Sequence, residues 1–141
     1  MLSSFLSHAN YLALLVAALA YFALGSLWFS ALFGKMWSAE VAKHGVVIKE
    51  PTRKEISSKM LQTFIYNLIA AFAMGYLVFV TGVSNFMAGL KLGLLCGIGF
   101  AAVGICIANV WESRSLKLVL IDAGYAVVGI TICGIILSLW H

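Results

Sequence analysis

"LVLIDAGYAVVG", residues 118–129, is apolar except for one carboxylate, Asp122, with Tyr125 three positions on. What that carboxylate costs depends on the solvent around the segment, and the same solvent sets the architecture. The run continues in both directions: from Leu116 to Trp140 only Lys117 and Asp122 carry charge. A helix of 20 residues rises about 30 Å, the thickness of a hydrocarbon core. Three more runs of that length stand in the chain, giving spans over residues 9–33, 61–80, 86–110 and 116–140.

Composition points the same way. Of the 141 residues, 63% are hydrophobic and 10% charged, whereas a soluble domain is about half apolar and a quarter charged. Helices are the expected spanning form, because each backbone N–H and C=O must find its partner inside the segment. The chain is therefore read as an all-α polytopic membrane protein: one transmembrane domain, 1–141, with four helices in an antiparallel bundle. The first run is expected to be retained, since "MLSSFLSHAN" has no Lys or Arg and the run outlasts a signal-peptide core.

Charge sets the orientation. Lys35, Lys43, Lys49, Arg53, Lys54 and Lys59 fall between spans one and two, and Arg114 and Lys117 follow span three. Only Lys91 belongs to the other side. The positive-inside rule places residues 34–60 and 111–115 in the cytoplasm and both termini outside a cell membrane, inner or plasma. The net charge of +4 is then a membrane-surface feature, with no basic soluble face to hold nucleic acid. Trp28, Trp37, Trp111 and Trp140 sit near span ends, where indoles anchor at headgroups.

Within 34–60, Gly34 is the place to turn. Met36, Trp37 and Val41 follow Phe33 at helical spacing, with Lys35, Glu40 and Lys43 mostly elsewhere. That pattern predicts a short amphipathic helix in the interface plane. "GVVIKEPTRKE" reads as a surface connection, and "TRKE" (52–55) as a capping box opening span two before Met60. His44 reads as a solvated loop histidine.

Small residues predict how the spans meet. Gly89, Gly93, Gly97 and Ala101 recur every four positions in span three, and Asn67, Ala71 and Gly75 do so in span two. Such rows let helix backbones approach. Four helices enclose little volume, so a homo-oligomer is expected. Cys96, Cys106 and Cys133 fit no metal spacing and read as packing residues.

"GSLWFSALFGKMW" (25–37) and "ESRSLKLVLIDAGYAVVG" (112–129), closing with "ILSLW" (136–140), resemble the DUF1761 family. The resemblance implies a small prokaryotic four-span membrane protein and no particular reaction. Small multidrug-resistance transporters compare poorly, having a glutamate in a first span that here holds no acid. So do the eicosanoid and glutathione-linked membrane enzymes, whose arginine has no counterpart in this second span.

Asp122 lies about 9 Å along span four from its start. An ionised aspartate at mid-span costs on the order of 2.5 to 3.5 kcal/mol by insertion scales, and less nearer the end. It needs a partner or a use. Tyr125 shares its face, with a hydroxyl placed to donate to an acceptor nearby. Arg114 can fold back from the turn, Asn67 offers an amide from span two, and Glu112 stands at the mouth. These five residues are the candidate site for a small cation, a proton or a lipid ligand. A structural bond that sets helix register is the alternative. The leading function is a homo-oligomeric transporter or channel for an ion or small cation. A membrane-embedded enzyme, a lipid- or small-molecule-binding protein and a non-catalytic partner are the others. No HExxH, paired acids or Ser–His arrangement appears within the spans, which leans away from an enzyme. The sequence names no catalytic residue, metal ligand set or cofactor.

Overall fold

The computed structural model describes residues 1–45 and 51–141. Lys49 and the start of the connection after Gly45 lie outside the described residues. The elements are helical: α1 (Leu2–His8), α2 (Tyr11–Leu27), α3 (Gly34–Lys43), α4 (Arg53–Thr81), α5 (Phe86–Cys96), α6 (Val103–Glu112) and α7 (Leu116–Leu139). Two π-helical turns, Trp28–Leu32 and Gly97–Ala102, continue α2 and join α5 to α6. Four helical stretches are long and apolar enough to cross a membrane: Tyr11–Leu32, Arg53–Thr81, Phe86–Glu112 and Leu116–Leu139.

Local chemistry sets the ends. Asn10, Asn85 and Ser115 cap α2, α5 and α7 by accepting a backbone N–H three residues on, which satisfies donors that a helix start leaves orphaned. At α4, Thr52 accepts from the Glu55 amide and the Glu55 carboxylate accepts from the Thr52 amide, a complete capping box. Span two is thus one helix from Arg53, and its first turns stand beyond the apolar stretch. Gly82, with φ 68°, ends α4, and Ser113, with φ 54°, makes the sharp turn after α6. The first span stops at Phe33, whose amide reaches back five residues to the Trp28 carbonyl, closing the π turn. A Cβ at Gly34 would stand 2.7 Å from the Phe29 carbonyl oxygen, so the turn there needs a glycine.

α7 packs against α2, α4, α5 and α6 and is the most covered of the four spans. Its contacts with α5 are the most extensive. A Cβ at Gly93 would stand 2.5 Å from the Thr131 Cα, and one at Gly97 2.9 Å from the Val127 Cα. At Gly89 it would strike Ser138 and Gly134. Numbers rise along α5 as they fall along α7. The π turn that begins at Gly97 adds residues to one turn, so the four-residue spacing stops tracking one face. Ala101 is half-buried and lines a separate hollow with Met74, Phe100 and Ile130. The core between α2, α4 and α7 holds Ala13, Leu14, Ala17, Ala18, Ala71, Met74, Cys133 and Leu137.

α1 stands before span one, where the sequence reading placed no element. It buries Phe5 against the rings of Phe72, Tyr76 and Phe79, at centroid distances of 5.2, 5.5 and 5.6 Å. Seven residues are too few for a periodic signal. Glu40, expected away from the apolar face of α3, is buried beside Val41.

The contacts of span three give a paired test. Gly93 faces backbone that cannot yield, so Gly93→Ala is expected to lower stability by about 1–3 kcal/mol. A Cβ at Gly104 meets nothing within 4 Å, so Gly104→Ala should be neutral or gain up to about 1 kcal/mol from helix propensity. Unfolding in mixed micelles measures both. Equal effects at the two positions would refute the close approach of α5 to α7.

Candidate functional site

Asp122 is about 1.7 turns into α7, with its side chain 23% exposed. Arg114, in the turn before α7, reaches it through Nη1 at 3.7 Å, a long ion pair. The same guanidinium holds Glu112 through Nε at 2.7 Å. The Trp37 indole of α3 also lies against the Asp122 carboxyl. Of the sequence candidates, Asp122, Tyr125 and Asn67 line one partly open cavity of about 610 Å³. Glu112 and Arg114 lie at the turn, outside its lining.

The cavity sits between α2, its π turn, α4, α6 and α7. Five aromatic rings border it: Tyr21, Phe22, Phe29, Tyr66 and Tyr125. Tyr21 stacks on Tyr125 with centroids 5.1 Å apart, and Phe29 meets Tyr125 edge-on at 5.2 Å. Gly25 makes room for this group, since a Cβ there would stand 2.9 Å from the Tyr125 hydroxyl. Asn67 is 4% exposed and lies beside Tyr125. Yet Asn67 Nδ2 and the Tyr125 hydroxyl oxygen are buried with no hydrogen-bond partner among the described residues. The hydroxyl was expected to find an acceptor and finds none among them. Buried polar groups are nearly always paired, and each exception needs a cause.

The sequence singled out neither Phe29 nor Trp28 for this site. The π turn carries both. Trp28 donates from Nε1 to the Ile121 carbonyl at 3.0 Å, a contact across 93 positions that ties span one to span four beside Asp122. Headgroup anchoring, the sequence reading of this tryptophan, leaves out that bond.

Glu40 was also missed. Its carboxylate accepts from the Ser115 hydroxyl at 2.9 Å and from Lys43 at 3.0 Å, with Lys117 at 3.7 Å. His44, exposed as its loop position suggested, accepts the Ser115 backbone N–H at Nε2, 3.2 Å away. Together these bonds hold α3 against the turn that carries Arg114. No local pattern marks them, because Glu40 and Ser115 are 75 positions apart.

A model of the family described as "Protein of unknown function (DUF1761)" matches residues 12–138. The chain belongs to the DUF1761 family. No curated protein and no solved structure matches it significantly. Membership covers the four spans and α3, and the cavity residues are all inside the matched range.

Hydrogen bonds from Lys43 and then Ser115 hold the Glu40 carboxyl below its ordinary value of 4.5. Only 8% of the side chain meets water, but that cover is its immediate partners rather than deep core. A lowered carboxylate pKa stabilises the docked state above the ordinary value, and the contribution goes as pH falls through the lowered one. Hydrogen exchange of residues 36–44, corrected for intrinsic rates, should therefore stay slow from about pH 7 to about pH 5 and quicken only on stronger acidification. Glu40→Ala should exchange fast throughout. Equal protection in the variant and the parent chain at neutral pH would rule out the carboxylate as the tie.

Proposed function

We propose that this DUF1761 protein is a small-cation transporter of a cell membrane, and that the cavity beside Asp122 holds its cargo. In this reading the four spans form one antiparallel bundle. α3 lies in the interface plane, the segments 34–60 and 111–115 face the cytoplasm and both termini face outside. Lys35, Lys43, Arg53, Lys54 and Lys59 precede or open α4, and Arg114 and Lys117 flank the turn before α7. Their clustering supports that orientation. Lys59 and Met60 line the cavity, so with this orientation its mouth would face the cytoplasm.

One observation carries the reading: a carboxylate in a membrane-length helix borders a cavity where two further polar atoms are buried and unpartnered. A purely structural bond would leave those atoms paired. Intramembrane acids that face a cavity mark ion or substrate paths. Beyond Tyr21 the core residues Ala17, Ala18, Ala71 and Cys133 are almost fully buried, so the cavity is closed towards the outer side. Transport then requires that the bundle open there in turn.

The homo-oligomer belongs to the same reading. Span three is the least covered of the four, and Ile98, Phe100, Val103 and Ile107 are exposed along it. Gly99 has open space above it, which would admit the helix of a second copy.

Uptake by proteoliposomes tests the function. With sodium, potassium and tetramethylammonium offered separately, at least one should enter through the parent protein. Asp122→Asn should abolish that uptake while retaining helical content and elution volume. If the well-folded variant transports every cation at the parent rate, the proposal fails.

A further inference from the structure

The cargo's chemistry can be read from the cavity wall. We infer that the ligand is an organic ammonium ion bearing an oxygen acceptor: its charge displaces Arg114 from Asp122, its oxygen meets Tyr125 and Asn67, and its carbon flank lies on the aromatic rings. This rests on the cation reading above and narrows it.

Size argues first. The cavity of about 610 Å³ falls within the range that encloses whole small molecules. A bare inorganic cation would fill little of it. Such an ion also demands a shell of oxygen ligands, six to eight for calcium and six for magnesium. One carboxylate faces the space, and among the described residues no three His, Cys, Asp or Glu side chains gather. Five aromatic side chains stand in the wall. Ring faces attract organic cations, and desolvated ammonium groups most.

The polar atoms define the rest. Asp122 supplies the charge. Asn67 Nδ2 is a donor without an acceptor, and the Tyr125 hydroxyl is a donor in the same position. Both can donate, and an oxygen brought by the ligand would accept from the two together. Tyr125 stands three residues after Asp122, about 4.5 Å along the axis. A nitrogen and an oxygen two carbons apart, as in an amino alcohol, span such an interval with the two side chains closing the remainder. Lys59 is eight residues before Asn67 on α4, about 12 Å along the helix from the oxygen-binding pair.

Arg114 explains how the site rests when empty. It touches Asp122 at 3.7 Å but Glu112 at 2.7 Å. A guanidinium already held by Glu112 can leave Asp122 without being stranded. It is a tethered stand-in for the ligand's charge, and its release couples loading to the turn that also holds α3 through Ser115.

Calorimetric titration of the purified protein in micelles tests this with choline, tetramethylammonium, sodium and potassium. Choline should bind more tightly than tetramethylammonium, and Asp122→Asn should weaken both by about tenfold or more. Tyr125→Phe keeps the ring and removes an unpartnered hydroxyl, so the fold is retained. It should weaken choline about three- to tenfold and leave tetramethylammonium unchanged. A purely structural Tyr125 would not alter that preference. If sodium or potassium binds through Asp122 and neither organic cation does, the inference falls and the cation reading stands. If choline binds but Tyr125→Phe changes both organic cations equally, or neither, the oxygen contact is wrong and the inference falls. If no cation binds in an Asp122-dependent way, both fall.

Discussion

Close backbone approach to α7 governs the other contacts of the bundle. Its glycines each face a partner. Trp28 stands over Gly124, Tyr21 lies where a Gly129 side chain would be, and Gly134 sits 2.7 Å, measured from its ideal Cβ, from the Gly89 carbonyl. Lipid supplies no hydrophobic drive between spans, so contact area and interhelical bonds must hold them. Small residues on α7 bring α2 and α5 near enough to gain that contact. They also put large aromatic residues of α2 against α7, and those residues become the wall of the cavity. Packing and site therefore share one cause.

The cavity begins where this packing stops. Tyr21 is the last tightly packed residue of the α2 core and the first of the aromatic group that includes Tyr125 and Phe29. Past it, α2 changes to a π turn, and α4 runs on towards its capped start. An extra residue in a helical turn rotates every side chain beyond it. Here the rotation coincides with Phe29 against Tyr125 and with Trp28 bonded to Ile121. π turns recur at functional sites because they re-aim side chains at a modest cost in backbone bonding. Asp122 has water-facing surface and a cation within reach, which lowers the cost of keeping a charge in an otherwise apolar helix.

α3 links this site to the surface. The turn from Ser113 to Ser115 carries Arg114 towards Asp122, and its last residue binds Glu40 and His44 of the α3 region. Trp37 of α3 lies against the same aspartate. A shift of α3 thus acts on both neighbours of Asp122 at once. The burial of Glu40 is tolerable because each of its oxygens has a donor, and a buried charge without partners would be expelled.

Features under local control were readable from the chain alone. Hydropathy over runs of 20 or more residues set the four membrane-length helices, because the cost of apolar surface adds along a segment whatever it touches. Thr52 and Glu55 announced the start of α4, and Gly34 the end of span one, because caps and turns are settled by residues a few positions apart. Asp122 stood out for the same reason, as one charge against a long apolar background, and Tyr125 and Arg114 were near enough in the chain to be named with it. The remaining features exist only once the helices are assembled. Ser115 finding Glu40, Trp28 finding Ile121 and the Asn67 amide left beside an unpartnered Tyr125 hydroxyl join residues 58 to 93 positions apart. The offset of a π turn likewise cannot be read from a four-residue spacing that assumes an unbroken helix. Such contacts depend on how helices rotate and slide against each other, and that is fixed by the sum of many small packing energies rather than by any single motif.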